Sequence, residues 1–487
     1  MDVKGLTIRK LRTMLDDRQV SVQEVTDAYL SRIAAIDQTV KSFLTVCDQK
    51  YIEKQVQAAQ KRIDEGKASV LTGIPFGIKD NICTYGVKTT CASRMLEDFI
   101  PPYNATVMDK LEEQSAIILG KLNMDEFAMG GSTATSFFQK TVNPYDHSKV
   151  PGGSSGGSAA SVSASLVPVS LGSDTGGSIR QPSSFCGVTG LKPTYGAVSR
   201  FGLVAFASSL DQIGPIANNA FDCGLVLNAI SGYDPHDGTS SRTALGDVTR
   251  LAGQSVRGIR LALPKEFFGD GIEEEVKQAV WNAAKQYEAM GAEIVEVSMP
   301  TLKFAIPAYY LISSAEASSN LSRYDGIKYG YRAEEQEGDD YNTLIRRTRD
   351  EGFGREVKRR ILLGTYALSS GYYDAYYKKA LYLKGKIKQE YDDIFAQCDL
   401  MITPTAPCTA FSFDQGIDDP AKMYLADICT VTVNISGLPA VSTPCGYDKG
   451  GMPIGMSIVG RAFDEARIIQ VADAYEQTFR RISPEIE

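Results

Sequence analysis

Apolar residues recur at two spacings along this chain, and the two alternate. "TIRKLRTML" (7–15) and "SVQEVTDAYLSRIAAI" (21–36) carry them at helical spacing, and the second opens with Ser21 and Glu24 in a capping-box pattern. Residues 50–65 predict a further helix with a polar face. Short apolar runs then take over. "LTGIPFGIKDNI" (71–82) predicts a buried strand, "SAIILGKLNMDEFAMGG" (115–131) a strand and a turn, and "LVPVSLG" (166–172) a strand entering a glycine loop. Between them, the small residues of 156–165 predict a tightly packed helix. The second half predicts strands at 259–264, 292–300, 399–404 and 453–460. Its helices are an amphipathic one at 273–290, tyrosine-rich ones through 305–395 and a closing one at 463–481. Alternating strands and helices imply an α/β sandwich, and neither an internal repeat nor an interdomain linker interrupts the pattern.

Composition narrows the class. With 43% hydrophobic and 23% charged residues over 487 positions, the chain reads as globular throughout. A net charge of −8 argues against strong nucleic-acid binding by this chain alone. Nine cysteines without a C-x-x-C pair fit a reduced compartment better than a disulfide framework. No apolar stretch reaches membrane-spanning length, and "MDVKGLTIRK" lacks the apolar core of a signal peptide. The expectation is a soluble cytoplasmic protein with no membrane contact. Two histidines, His147 and His236, lie in turn-like segments, which disfavours a histidine-based triad or metal site.

Three polar features stand among glycines. Lys79 sits in apolar surroundings ("GIPFGIKDNI"), where burial would make its amine a base near neutral pH; its ordinary alternative is a surface lysine at a strand end. "GGSSGGSA" (152–159) is either a backbone shaped for close approach or a phosphate nest. Ser178 follows Gly176 and Gly177 in "DTGGSIR", where backbone N–H groups can face a developing oxyanion. Neither loop carries G-x-x-x-x-G-K-[ST], G-x-G-x-x-G or a histidine, so a serine nucleophile with a lysine base ranks above a nucleotide site.

The stretch 152–196, "GGSSGGSAASVSASLVPVSLGSDTGGSIRQPSSFCGVTGLKPTYG", resembles the core of the amidase signature family, and "GIPFGIKD" resembles its lysine segment upstream of "NMDEFAMG". Residues 353–377 and 418–446 resemble one branch in particular, the glutaminase subunit of tRNA-dependent amidotransferases. The resemblance implies one α/β amidase domain over 1–487, with a central mixed sheet covered by helices on both faces. Within it, 1–65 would be a helical segment, 70–215 the catalytic core, and 216–487 the remainder with a helical substrate-side insertion.

The same resemblance implies roles. Ser178 would be the nucleophile, Ser154 a bridging serine on a cis peptide, and Lys79 the base. Thr175, Gly176 and Gly177 would join Ser178 in the oxyanion hole. Glutamine would meet Arg359 and Asp427, with Arg360 as rival to the first, and Tyr309, with Tyr310 as its rival. No cofactor is expected on this chain: ATP and Mg²⁺ would belong to a partner in a heterotrimer with subunits B and C, and misacylated tRNA would be held mainly by the first of these two. One departure is Gly130-Gly131-Ser132-Thr133-Ala134, where the branch commonly shows GSSTE after FAM.

Overall fold

A computed structural model describes residues 1–414 and 424–486. Its frame is one mixed sheet of eleven strands: β1 (Phe43–Val46), β2 (Pro75–Lys79), β3 (Ile117–Leu122), β4 (Val169–Asp174), β5 (Thr189–Lys192), β6 (Gln212–Ala217), β7 (Arg260–Pro264), β8 (Glu293–Val297), β9 (Leu400–Pro404), β10 (Ala440–Tyr447) and β11 (Pro453–Val459). Their spatial order is β1-β3-β2-β4-β6-β5-β10-β11-β9-β7-β8.

Side chains alternate across a strand, so neighbouring residues should enter different cores. They do. Leu261, Leu400, Ile402, Val441 and Ile458 join one apolar cluster, and Ala262, Met401, Ala440 and Val459 join another. The first cluster takes in the N-terminal helices and the helices Glu274–Ala289 and Glu465–Glu476; the second takes in the helices Ala305–Asn320, Arg355–Leu368 and Lys378–Gln397. Helices therefore cover both faces, as expected. Nearly every core strand is buried on both sides, which explains why the strands read as short apolar runs rather than as polar–apolar alternation.

The predicted helices and the seven predicted strands recur within a few residues. The capping box closes in both directions, Glu24 N–H to Ser21 Oγ and Ser21 N–H to Glu24 Oε2. Four strands were not foreseen: β1, β5, β6 and β10. The first two span only four residues each, and β6 ("QIGPIA") contains Pro215, an expected strand breaker. The tyrosine-rich stretch is several helices, Ala305–Asn320, Tyr341–Gly352, Arg355–Leu368 and Lys378–Gln397, with a 3-10 turn at Leu321–Arg323 and then irregular chain between the first two.

Two features place the site. β2 and β4 run parallel in register Ile78 to Leu171, so Lys79 and Ser173 arrive together at one end of the sheet. Beside them, Gly156–Ser163 forms the expected close-packed helix. A Cβ added at Gly157 would lie 2.4 Å from the Asn123 carbonyl oxygen, so only glycine admits this approach.

Candidate active site

Lys79 ends β2 with no exposed surface, and its amine sits among hydroxyls. Nζ lies 2.7 Å from Ser154 Oγ, 2.9 Å from Ser155 Oγ and 2.9 Å from Ser173 Oγ. Burial lowers its pKa from 10.5 to about 7, against the opposing pull of Asp125, Asp174, Asp211 and Cys91. The Ser155 hydroxyl donates to the Ser173 carbonyl, so towards Lys79 its oxygen acts as acceptor. Asn81 Nδ2 donates to Ser173 Oγ and braces the cage from behind.

Ser154 follows the cis Gly153–Ser154 peptide bond and is fully buried. Its carbonyl accepts from the Asp125 N–H (3.2 Å), and the next residue, Ser155, donates its N–H to the Ser178 carbonyl (3.1 Å). The two glycine-serine loops are thus stitched together by backbone. Ser178 keeps 9% of its surface exposed whereas Lys79 and Ser154 keep none, so the serine opens outward and the amine stays dry. Among the described residues, the Ser178 hydroxyl makes no hydrogen bond to Ser154.

The Ser178 loop is shaped by Asp174. Its carboxylate accepts the N–H groups of Gly177 (2.7 Å) and Ile179 (3.1 Å), the Asn434 amide (2.8 Å) and two nitrogens of Arg180. Burial works against ionisation here, but the Arg180 guanidinium outweighs it and holds the acid well below the ordinary carboxylate range. One expectation changes: Gly177 is no free oxyanion donor, because its N–H belongs to Asp174; its part is conformational, at φ +133° with a Cβ position 2.3 Å from Thr430 Oγ1. Among the described residues, the N–H groups of Gly176 and Ser178 have no partner. Thr175 turns its hydroxyl to Asp211 (2.6 Å).

The "GGSSGGSA" loop is equally committed. Gly153 N–H goes to Gln181 Oε1 (2.9 Å), Gly156 N–H to Thr133 Oγ1 (3.1 Å) and Gly157 N–H to the Asn123 carbonyl (3.1 Å).

On the substrate side, Tyr309 lies against the loop: a Cβ on Gly176 would fall 2.4 Å from its ring. Tyr310 donates to Asp427 Oδ2 (2.7 Å) and stacks on Tyr424 at 3.9 Å between ring centres. Burial pushes the Asp427 acid up to about 7. The two arginines separate. Arg360 is buried, its guanidinium 4.4 Å from the Tyr310 ring centre and 5.0 Å from that of Tyr424, and Nε donates to Glu356 (2.7 Å). Its Nη1 is buried with no partner among the described residues. Arg359 stands half-buried and paired to Glu356. The geometry brings Arg360, rather than the first-choice Arg359, together with Tyr310 and Asp427. Thr430 joins the two halves, donating to the Gly176 carbonyl (2.6 Å) while its own carbonyl accepts from Arg180.

Sequence reasoning missed Ser155, Ser173 and Asn81 around the amine, and the Arg180–Asp174–Asn434 cluster. Arg180 and Asp174 flank Ser178 in a stretch already singled out, so a buried ion pair six residues apart was the available signal. Both histidines lie in exposed turns. Residues 418–423 of the second branch-like stretch lie outside the described residues.

A buried amine among hydroxyls, one serine opening outward and spare N–H groups beside it make a site for acyl transfer from an amide. The chain belongs to the amidase family, whose model matches residues 24–469. More particularly, it is 56% identical over 480 residues to the A-subunit of glutamyl-tRNA(Gln) amidotransferase from Ruminiclostridium cellulolyticum (98% of each chain) and 52% identical over 479 residues to that from Staphylococcus aureus (98% of each). Among solved structures, it resembles the A-subunit of glutamyl-tRNA(Gln) amidotransferase from Thermotoga maritima (TM-score 0.82, 40% identity, 100% of this chain and 99% of that one). It also resembles a peptide amidase of Stenotrophomonas maltophilia (TM-score 0.82, 27% identity, 99% of each).

Proposed function

We propose that this chain is the glutaminase subunit of a tRNA-dependent amidotransferase, with Ser178 as nucleophile, Ser154 as relay and Lys79 as base. The observation that carries it is the Lys79 amine, fully buried and 2.7 Å from Ser154 Oγ. Ser178 attacks the glutamine carboxamide as its proton passes to Ser154 Oγ, whose own proton passes to neutral Lys79. The oxyanion is held by the N–H groups of Gly176 and Ser178, beside Thr175. The C–N bond then breaks, the proton returns through Ser154 to the leaving nitrogen, and ammonia departs. Water cleaves the γ-glutamyl ester by the same relay.

Arg360 receives the α-carboxylate through its unpartnered Nη1, and Asp427 the α-ammonium, with Tyr309 closing the site against Gly176. Ammonia passes to a partner that activates the misacylated tRNA with ATP and Mg²⁺, in a cytoplasmic heterotrimer with subunits B and C. An exposed apolar face supports a partnered chain: Leu362, Leu363 and Tyr366 stand out on the helix Arg355–Leu368, and Tyr382 on the next one. No helix among the described residues is long and apolar enough to cross a membrane.

A stand-alone carboxamide hydrolase, as the peptide amidase likeness suggests, would use the same trio without Arg360 and Asp427. Mass spectrometry after treatment with a diazoketone analogue of glutamine tests both readings. The adduct is expected on Ser178, suppressed by excess glutamine and absent from Ser178→Ala. An adduct on a cysteine, or labelling indifferent to glutamine, refutes the proposal.

A further inference from the structure

The segment "NMDEFAMG" contributes two adjacent acids that reach different elements. Asp125 holds the relay loop: its N–H donates to the Ser154 carbonyl, and its carboxylate accepts from the Ser132 N–H (3.1 Å) and the Thr135 hydroxyl (2.8 Å). Glu126 crosses to the substrate-side helices. Its Oε1 accepts from Ser93 Oγ (2.5 Å) and its Oε2 from the Gly354 N–H (2.8 Å), and only 3% of the residue is exposed. Gly354 is the N-cap of the helix Arg355–Leu368, and Arg360 follows within two turns.

We propose that Glu126 is a positioning residue for glutamine, pinning the start of the Arg360 helix to the same segment that holds Ser154. Three observations converge on it. A buried carboxyl group takes up one of the N–H groups that a helix start leaves free. The two groups are in close approach, since a Cβ on Gly354 would lie 2.3 Å from Glu126 Oε2 and would push the carboxyl group off the N–H it accepts. Finally, Asp125 and Glu126 are covalently adjacent, so relay and carboxylate-binding arginine share one anchor. Nothing in the acyl-transfer chemistry requires an acid at this place, because Glu126 touches neither Ser154 nor Lys79 among the described residues. Its work is the spacing between the two halves of the site.

This inference rests on Arg360 receiving the glutamine carboxylate. The test uses the assembled complex with Glu126→Ala, Glu126→Gln and Gly354→Ala, measuring kcat and KM for glutamine. A second readout is the rate at which a small sulfonyl fluoride labels Ser178, which needs the relay but not Arg360. The expected result is a KM for glutamine raised about tenfold or more in Glu126→Ala and Gly354→Ala, since small misplacements of a binding group are costly. Glu126→Gln should lie nearer the parent, because its carbonyl can still accept the Gly354 N–H. Labelling should stay within about twofold in all three. An unchanged KM, or equal loss in both readouts by variants that retain the parent melting profile, overturns the role. If Glu126→Ala fails to fold, Gly354→Ala decides the matter from the other side of the joint. Arg360→Ala, run alongside, separates the two layers. An unchanged KM there removes the glutamine-site reading itself, whereas a raised KM there with an unchanged KM in the Glu126 and Gly354 variants removes only the role of Glu126.

Discussion

The proposed relay needs Lys79 without its proton, and that requirement fixes a pH profile. An exposed lysine titrating near 10.5 would be neutral in only about 0.03% of molecules at pH 7, whereas one titrating near 7 is neutral in about half, a gain of roughly a thousandfold in usable base. Glutamine hydrolysis by the complex, followed as ammonia release at saturating partner, should therefore rise about tenfold per pH unit below 7 and level off above it. The carboxyl groups that face the amine, Asp125, Asp174 and Asp211, and the Cys91 thiol oppose the shift, and burial overrides them. The same displacement sets a stability term. The folded value lies below the unfolded one, so the unfolded chain binds more proton between about 7 and 10.5, and stability from this group rises with pH across that window. At acid pH the buried ammonium costs on the order of 5 kcal/mol at 1.36 kcal/mol per pH unit. Lys79→Met removes that cost but strips a partner from three hydroxyls at about 1 kcal/mol each. The variant should thus be more stable than the parent at pH 6 by roughly 2 kcal/mol, with hydrolysis down about 10²–10⁴-fold. Denaturant melts of both proteins at pH 6 and pH 9 measure the difference. A hydrolysis rate flat below pH 7, a limb near pH 10, or a Met variant that is active or less stable at pH 6 refutes the reasoning.

Two further outcomes follow from the substrate side. Arg360→Ala should raise KM for glutamine by about 10–100-fold, the worth of a charge-assisted pair, because its buried Nη1 is the one left without a partner, while Arg359→Ala should stay within about threefold because its side chain is partly exposed and already paired to Glu356; the reverse order would return the carboxylate role to Arg359. Gly176→Ala places a methyl 2.4 Å from the Tyr309 ring, and one or the other must move. Its thermal melt should fall by an amount equivalent to about 1–3 kcal/mol, with KM for glutamine raised; a neutral melt and unchanged KM would show that the loop and Tyr309 are not in the contact described.

What the sequence disclosed followed from rarity. Lysine in an apolar run and serines framed by glycines are uncommon contexts, so Lys79, Ser178 and the 152–159 loop stood out; the family resemblance picked Ser154 within that loop, and it lies within hydrogen-bond reach of Lys79. Ser155 and Ser173 did not stand out, because a serine in a serine-rich stretch carries no mark of which hydroxyl faces an amine. The parallel register of β2 and β4 decides that, and register is a property of two segments far apart in the chain.

The choice between the arginines was legible in principle. Val357, Gly364 and Ala367 are buried, and Arg360 falls between them at the three- and four-residue spacing of one helix face, whereas Arg359 and the exposed Leu362 and Leu363 fall off it. The Gly177 assignment failed for a related reason. An oxyanion hole was inferred from glycines supplying N–H groups, without asking where those groups already go. An aspartate three residues earlier can take the N–H itself, and Asp174 does. A glycine loop therefore offers an oxyanion only those N–H groups that its own acids leave unpaired. At this site Gly177 is spoken for, and the N–H groups of Thr175, Gly176 and Ser178 have no partner among the described residues. In the proposed mechanism the opening for an oxyanion is thus set by Asp174, which takes up the N–H groups of Gly177 and Ile179, leaves their neighbours free and is held ionised by the buried Arg180.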